Sequence, residues 1–450
     1  MRSCLLREVR LIVIIVIKLS IVFATSDLYA QQTNDADSVW SLTRCIAYAR
    51  QNNLQVTSSR LNEQAIEQDL LLSKAAKYPN LVATATQALG NSNANNFSAG
   101  TSNSSFSGSY LLNSAFTLYN GNYLNNDIRQ KDLQVKAAQQ DVLATENNII
   151  LQITQAYLQI ILAKENVTYF TNLVQTAQAQ TQEATVKFKA GSIAKTELAQ
   201  LQSQLSSDQY GLVNATNTER QAIFNLKQLL QLPANADFQI EMPDTLHVIA
   251  DHTSLTDAEN AALKQRPEIK SSEIARKAAH YQLLKEVAAR KPLLILNSSL
   301  ASNYSNNLPK DYGSQIDHNI YGRTGLTLSF ALFNNRSVKT NIAKAQIASE
   351  QSDVDLRNTQ TILSQQVEQA YINSLNTQAL LDAAQKQLDA NEQSFSISQE
   401  QLRLGAITAI DFLVQKNLYV QAMQLYLQAK YNAQIAVQVY RFYKGDPIEL

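Results

Sequence analysis

Residues 402–440 read LRLGAITAIDFLVQKNLYVQAMQLYLQAKYNAQIAVQVY. After Gly405, apolar or small residues recur at Ile410, Val414, Leu418, Ala422, Leu425, Ala429, Ala433, Ala436 and Tyr440, in steps of four and three. That spacing keeps them on one side of an α-helix. A second periodic run reaches Gly405 from about Arg336. A lone glycine between two long helical patterns predicts the tip of an antiparallel hairpin, because glycine accepts turn conformations that other residues resist.

The same unit occurs earlier. FKAGSIAKTELAQLQSQ around Gly191 matches LRLGAITAIDFLVQKN around Gly405, an offset of 214 residues. At that same offset SAFTLYNG (114–121) matches LSFALFNN (328–335), and QITQAY (152–157) matches QVEQAY (366–371). KYPNL (77–81) matches RKPLL (290–294) at nearly that offset. Blocks in a fixed order predict duplication of a whole strand–helix unit, with copies far longer than a solenoid repeat. The tip glycines, the β-branched residues after them, the acid six residues on and the Leu-, Tyr- and Ala-rich return helix resemble the TolC family of bacterial outer membrane efflux channels. The resemblance covers essentially all of the chain beyond its leader, in both halves.

Composition narrows the field independently. Lys plus Arg and Asp plus Glu each number 38, so formal net charge is zero and nothing suggests nucleic acid as a partner. The four histidines are scattered; His247 and His252 lie in a linker and do not predict a metal site. No nucleophile–base pair, phosphate loop or metal-ligand cluster stands out, so neither enzyme activity nor a cofactor is expected. Met1–Arg10 is basic, Leu11–Phe23 almost wholly apolar, and Leu28-Tyr29-Ala30 precedes Gln31. This predicts a signal peptide over 1–30, hence export. Beyond it Cys45 stands alone, which suits a small core residue.

In order, repeat 1 spans 31–232, with a helix over 38–77 ended by Tyr78-Pro79, strands over 81–90 and 106–119, and helices over 122–190 and 192–230. A connector follows over 233–257. Repeat 2 spans 258–440, with a helix over 258–290, strands over 293–304 and 320–333, and helices over 336–404 and 408–440; residues 441–450 are a tail. The loops between paired strands, 91–105 and 305–319, are rich in Asn, Ser and Gly. Each long helix would reach roughly 100 Å at 1.5 Å per residue. A returning helix stacked on a pre-strand helix would match it, giving columns of equal height. Uncharged polar faces beside the apolar seam suit either a water-filled tunnel or a solvated coiled coil.

The strands have the length of tilted membrane-crossing strands, although such strands are also ordinary in soluble proteins. Four strands cannot close a channel, and open edges are not tolerated in lipid. The resemblance implies that a homotrimer pools twelve strands. The fold class expected is therefore mainly α with a membrane β-barrel: a duplicated strand–helix unit, a trimeric 12-stranded barrel and a long α-helical periplasmic tunnel. The connector and tail would form an equatorial belt. Aromatics near the strand ends (Tyr110, Phe116, Tyr119, Tyr123, Tyr321, Phe330, Phe333) suit a bilayer interface or a soluble core.

Candidate functional residues follow. Gly191 and Gly405 are helix caps; the resemblance adds docking of a periplasmic adaptor at these tips. Ser192 and Thr408 are candidate N-caps. Asp411 and Glu197 correspond across the repeat. Either they are acids favoured at a helix start, or, in a trimer, they ring a periplasmic gate that attracts cations. TolC-like proteins carry an acid at the Asp411 position. Here Val414 replaces a second acid, Ile407 an arginine and Leu402 a tyrosine, so the gate would rest on apolar packing of Leu402, Ile407 and Phe412. The function implied is a passive duct in a tripartite efflux or type I secretion system, in the outer membrane with its tunnel in the periplasm. Its partners would be an inner-membrane pump, an adaptor and outer membrane lipid. The alternatives are a periplasmic coiled-coil adaptor, which would carry one hairpin, or a structural coiled-coil protein.

Overall fold

The computed structural model describes residues 39–91, 104–233, 235–242 and 253–446. The signal peptide, His247, His252 and much of the connector and tail lie outside them. The first half contains β1 (Val39–Trp40), α1 (Leu42–Asn52), α2 (Leu54–Ala75), β2 (Val82–Asn91), β3 (Ser104–Tyr119), α3 (Tyr123–Lys189) and α4 (Lys195–Leu230). After β4 (Gln239–Ile240), the second half contains α5 (Leu255–Gln265), α6 (Pro267–Ala288), β5 (Leu293–Ser305), α7 (Tyr312–His318), β6 (Tyr321–Ser329), α8 (Ser337–Arg403) and α9 (Ala409–Lys444).

Helix lengths repeat between the halves. α3 and α8 have 67 residues each, α4 and α9 36 each, α2 and α6 22 each, and α1 and α5 11 each. The three shorter helices of a half together match its long one, about 100 Å at 1.5 Å per residue.

Each pre-strand helix is broken where a continuous helix over 38–77 or 258–290 is expected. At the first break the Asn53 side chain accepts a hydrogen bond from Gln55 N at 2.8 Å, while its amide donates to Leu229 O, 3.1 Å away near the end of α4. Asparagine caps a helix well, so it starts α2 while closing α4. At the second break Pro267 opens α6, and proline disfavours the helical conformation at the preceding Arg266. Arg266 is buried and donates through Nη1 to Phe442 O of α9, at 3.1 Å. The two halves thus solve the same end-to-end joint with different side chains.

Other boundaries also move. Strand β6 ends at Ser329 rather than 333, and the 305–319 loop holds the short helix α7. Helix α9 runs four residues into the expected tail before Gly445 caps it at φ 102°.

The strand order is β2-β3-β5-β6, antiparallel throughout. Register decides what each face carries. Tyr110 stands opposite Ala85 and Ser302, Leu112 opposite Ala83 and Leu300, and Phe116 opposite Leu296, itself opposite Leu326. Opposed residues share a face, and alternate residues along a strand do too. One face therefore presents Leu89, Phe106, Tyr110, Leu112, Phe116, Leu300, Leu326 and Leu328. The other is mainly polar, with Ser107, Ser109, Asn113, Thr117, Asn297, Ser299, Asn303, Arg323 and Thr327. The expected aromatic group divides: Tyr110, Phe116 and, past the irregularity after Thr117, Tyr119 opposite Leu294 are on the apolar face, Tyr321 is on the polar one, and Phe330 and Phe333 lie beyond β6.

Below the sheet, Asp127 in α3 accepts hydrogen bonds from Ser73 of α2 and from Lys285 Nζ of α6 at 3.0 Å. Burial opposes its charge, but these donors hold the carboxyl below its usual range. The main core lies at mid-height, where Trp40, Cys45, Tyr157, Leu158, Leu226, Phe238, Ile240 and Tyr431 pack together. Tyr157 OH donates to Glu241 O at 2.7 Å, fastening the parallel β1–β4 pair to α3. In the second half Ala258, Ile269, Leu363, Val367 and Tyr440 form a smaller core.

Cys45 has no solvent exposure, and burial pushes its thiol up to about 12. An exposed thiol ionises near pH 8.5, so the unfolded chain loses this proton first and the thiol favours unfolding as pH rises above that value. With residues 1–30 removed, maleimide should label the native protein only after denaturation. The native rate should not climb between about pH 7 and 10 as that of a free thiol does. Rapid native labelling would show that this core opens.

Candidate functional site

The two hairpin tips have nearly the same backbone. Gly191 and Gly405 have φ of 75° and 73°. Ser192 N donates to Lys187 O at 2.9 Å, and Ala406 N to Gln401 O at 2.8 Å, closing each long helix with a left-handed cap. A Cβ at either glycine would meet nothing within 4 Å. Within the chain, then, backbone conformation alone calls for glycine here.

Beyond the glycines the tips differ. Thr408 caps α9 fully: its hydroxyl accepts from Asp411 N at 3.2 Å, and Asp411 carboxylate accepts from the Thr408 backbone at 3.4 Å and hydroxyl at 2.7 Å. Asp411 thus lies exposed in the first turn of α9 and closes its capping box. Glu197 sits half-buried in the first turn of α4, whose N-cap is Ala194, so Ser192 does not cap. Leu402 and Ile407 are half-buried. Phe412 has no exposure; its ring lies 5.7 Å from Phe395, which stacks on Tyr419 at 4.9 Å. Of the three expected apolar gate residues, Phe412 is therefore interior to its own hairpin. The hairpins touch near their tips, where Leu413 and Ile193 pack against Ala184, Leu198 and Leu201.

One feature of this region is missed by reading the sequence. Above the tips Lys416 Nζ lies 2.7 Å from Asp208 Oδ2, with side chains only 1% and 5% exposed. Gln204 Nε2 donates to the other Asp208 oxygen at 2.9 Å. The pair joins α9 of one hairpin to α4 of the other. Nearby, burial raises the Tyr169 hydroxyl well above its usual range, with Tyr419 and the Asp208 charge adding to the shift. A second, more exposed contact, Lys430 to Glu165 at 3.3 Å, ties α9 to α3. The available signal was helical spacing: Lys416 lies one turn after Phe412 on the buried face, and Asp208 two turns after Leu201.

Comparison with known proteins identifies the architecture. A family model described as outer membrane efflux protein matches residues 45–231 and again 259–442. The chain belongs to the outer membrane efflux protein family. It is 27% identical over 315 residues to the outer membrane protein TolC of Salmonella enteritidis, covering 66% of this chain and 62% of that protein. It is 21% identical over 410 residues to the outer membrane efflux protein BepC of Brucella suis biovar 1 (strain 1330), covering 88% and 83%. The TolC match thus spans about three fifths of that relative. Among solved structures, CusC superposes with a TM-score of 0.78 at 18% identity, over 90% of this chain and 92% of that one. The Campylobacter jejuni CmeC outer membrane channel gives 0.77 at 18% identity, over 90% and 85%. Family membership puts the protein in the outer membrane, with the helical body as its periplasmic part. The adaptor and scaffold alternatives fall away.

A buried ion pair is costly to halve. Lys416→Met alone leaves the Asp208 charge unpaired and should destabilise the helical body by about 3–5 kcal/mol. Lys416→Met with Asp208→Leu should recover most of that loss, read as the thermal transition of helical circular dichroism. Equal loss in the single and double variants would mean that shape rather than charge holds this joint.

Proposed function

We propose that three copies of this chain close a twelve-stranded barrel, and that the protein is the passive outer-membrane duct of a tripartite efflux or type I secretion system. The observation that carries this reading is the sheet, with an apolar face, a mainly polar face and β2 and β6 as open edges. In hydrocarbon an open edge leaves backbone donors and acceptors without partners, at several kcal/mol each. Pairing β6 of one copy with β2 of the next removes both edges, turns the apolar face to lipid and lines a water-filled lumen with Ser, Asn and Thr. Export by the leader at 1–30 and a belt formed by the connector and tail accord with this arrangement.

In this reading the Gly191 and Gly405 tips face the periplasm and meet an adaptor, which links the duct to an inner-membrane pump that supplies the energy. Open space around both glycines supports their availability to a partner. The periplasmic gate is formed by Asp411 and Glu197 with Leu402 and Ile407, while Phe412 stiffens the hairpin from inside. With Ile407 in place of a basic residue, a ring of three Asp411 side chains would attract cations.

The purified chain should run as a trimer in detergent by light scattering; a monomeric mass with intact helical and strand signals would defeat the barrel. In planar bilayers the channel should favour cations and be blocked by divalent ions from the tip side. Asp411→Asn should weaken that block more than Glu197→Gln. Unchanged selectivity and block in Asp411→Asn would leave the aspartate as a helix cap alone.

A further inference from the structure

At the end of the sheet away from the helices, α7 folds back over the apolar face. Ser302 Oγ donates to Ile316 O at 2.7 Å, and the Tyr110 and Tyr312 hydroxyls lie 2.6 Å apart. The Gln315 side chain, 1% exposed, donates to Ser305 O and accepts from Ser305 N, each at 3.0 Å. These bonds fix α7 to the end of β5. Between it and the strands remains a mainly apolar crevice of about 390 Å³. Ala83, Ala85, Leu112 and Leu300 share the sheet face beneath it, and Ile316 and Ile320 close its other side.

We propose that this crevice holds one acyl chain of a lipid from the outer leaflet of the outer membrane. This rests on the reading of the sheet as part of a membrane barrel. The helical body is periplasmic, so the α7 end of the sheet faces outward, and its apolar face meets lipid tails. The lining residues carry no charge, which suits hydrocarbon and not a headgroup. The volume lies within the roughly 300–1,000 Å³ of small-molecule pockets. The space exists because β2 presents alanines at positions 83 and 85 where other positions on this face carry leucine. Water gains few hydrogen bonds in such a place, whereas lipid methylenes fill it favourably. The tyrosine pair then stands at the rim, where aromatic hydroxyls meet the headgroup region.

Native mass spectrometry of the full chain, exchanged into detergent with palmitoyl-oleoyl phosphatidylethanolamine as probe, tests this. One lipid per chain should survive detergent washing. Ala85→Leu, which fills the crevice, should lose it. Thr86→Leu, on the opposite face, should keep it. Trp40→Phe with Leu326→Trp, on the apolar face away from α7, reports membrane contact separately through quenching in liposomes of brominated phosphatidylcholine. Quenching at Leu326→Trp with no lipid retained by the native chain, or with equal retention in Ala85→Leu, would overturn the crevice proposal and leave the barrel standing. Absence of quenching would overturn the barrel and the crevice together.

Discussion

A side-chain donor reaching from the break in each pre-strand helix to the end of the returning helix joins the stacked pieces of one column in each half. Helix ends carry carbonyls that no later turn satisfies, and burying them unpaired costs free energy. Asn53 supplies one donor, to Leu229 O, and Arg266 the other, to Phe442 O. The Arg266 guanidinium also lies 4.2 Å from the centroid of the Phe442 ring and is paired with Glu268 at 2.8 Å. A planar cation with five donors can do all of this at once, whereas the Asn53 amide supplies its one bond to Leu229 O. Because both joints lie at mid-height, the hairpins below and the sheet above are braced against the same level.

The sheet imposes the other constraint. Its two unpaired edges are compatible with water and incompatible with lipid, so its chemistry as a membrane element depends on other copies. The helical body depends on them less: its main core, the second-half core and the Asp208–Lys416 pair are completed within one chain, while Tyr210, Phe224, Leu375 and Leu380 stay exposed on its helices. Closure of a barrel would therefore join units whose tips and columns are already built. The crevice under α7 belongs to the same logic, since a lipid chain finishes a surface that one chain leaves open.

How much of this was legible depends on the range of the interaction concerned. The hairpins could be read because glycine and a three-four period are local signals. Gly191 and Gly405 indeed take positive φ, and Thr408 caps as its sequence context suggests. Helix breaks were harder. Pro267 is a local signal for the break at Arg266, whereas Asn53 follows Gln51 and Asn52 within a polar run, and its bond to Leu229 O joins residues 176 positions apart. The two-faced sheet could not be read strand by strand. On β3 the polar-face set includes Leu111, while the register shift after Thr117 carries Tyr119 to the apolar face, so only register with β5 shows which face each residue joins. The Asp208–Lys416 pair joins residues 208 positions apart, and each alone resembles a polar residue in a mostly apolar seam. At the tip the residue types could be read, but the interior position of Phe412 required the packing of α8 on α9.

Asp411 shows why structural and functional readings of one residue need not compete. Its carboxylate closes the capping box with Thr408, which fixes it within the first turn of α9, while the side chain stays exposed. A helix start favours a negative charge, so the cap and the charge reinforce each other locally. A ring of such residues around an axis would take its geometry from the caps and would need no further residue to orient each carboxylate. Asparagine at this third helical position keeps a side-chain oxygen able to accept from the Thr408 backbone, so it removes the charge and retains the acceptor, whereas alanine would remove both. Glu197 lacks that anchor: Ala194 supplies no capping side chain, and its longer chain has more freedom at the start of α4. If both acids face a common opening, the better-fixed one sets its charge and the other adjusts to whatever passes.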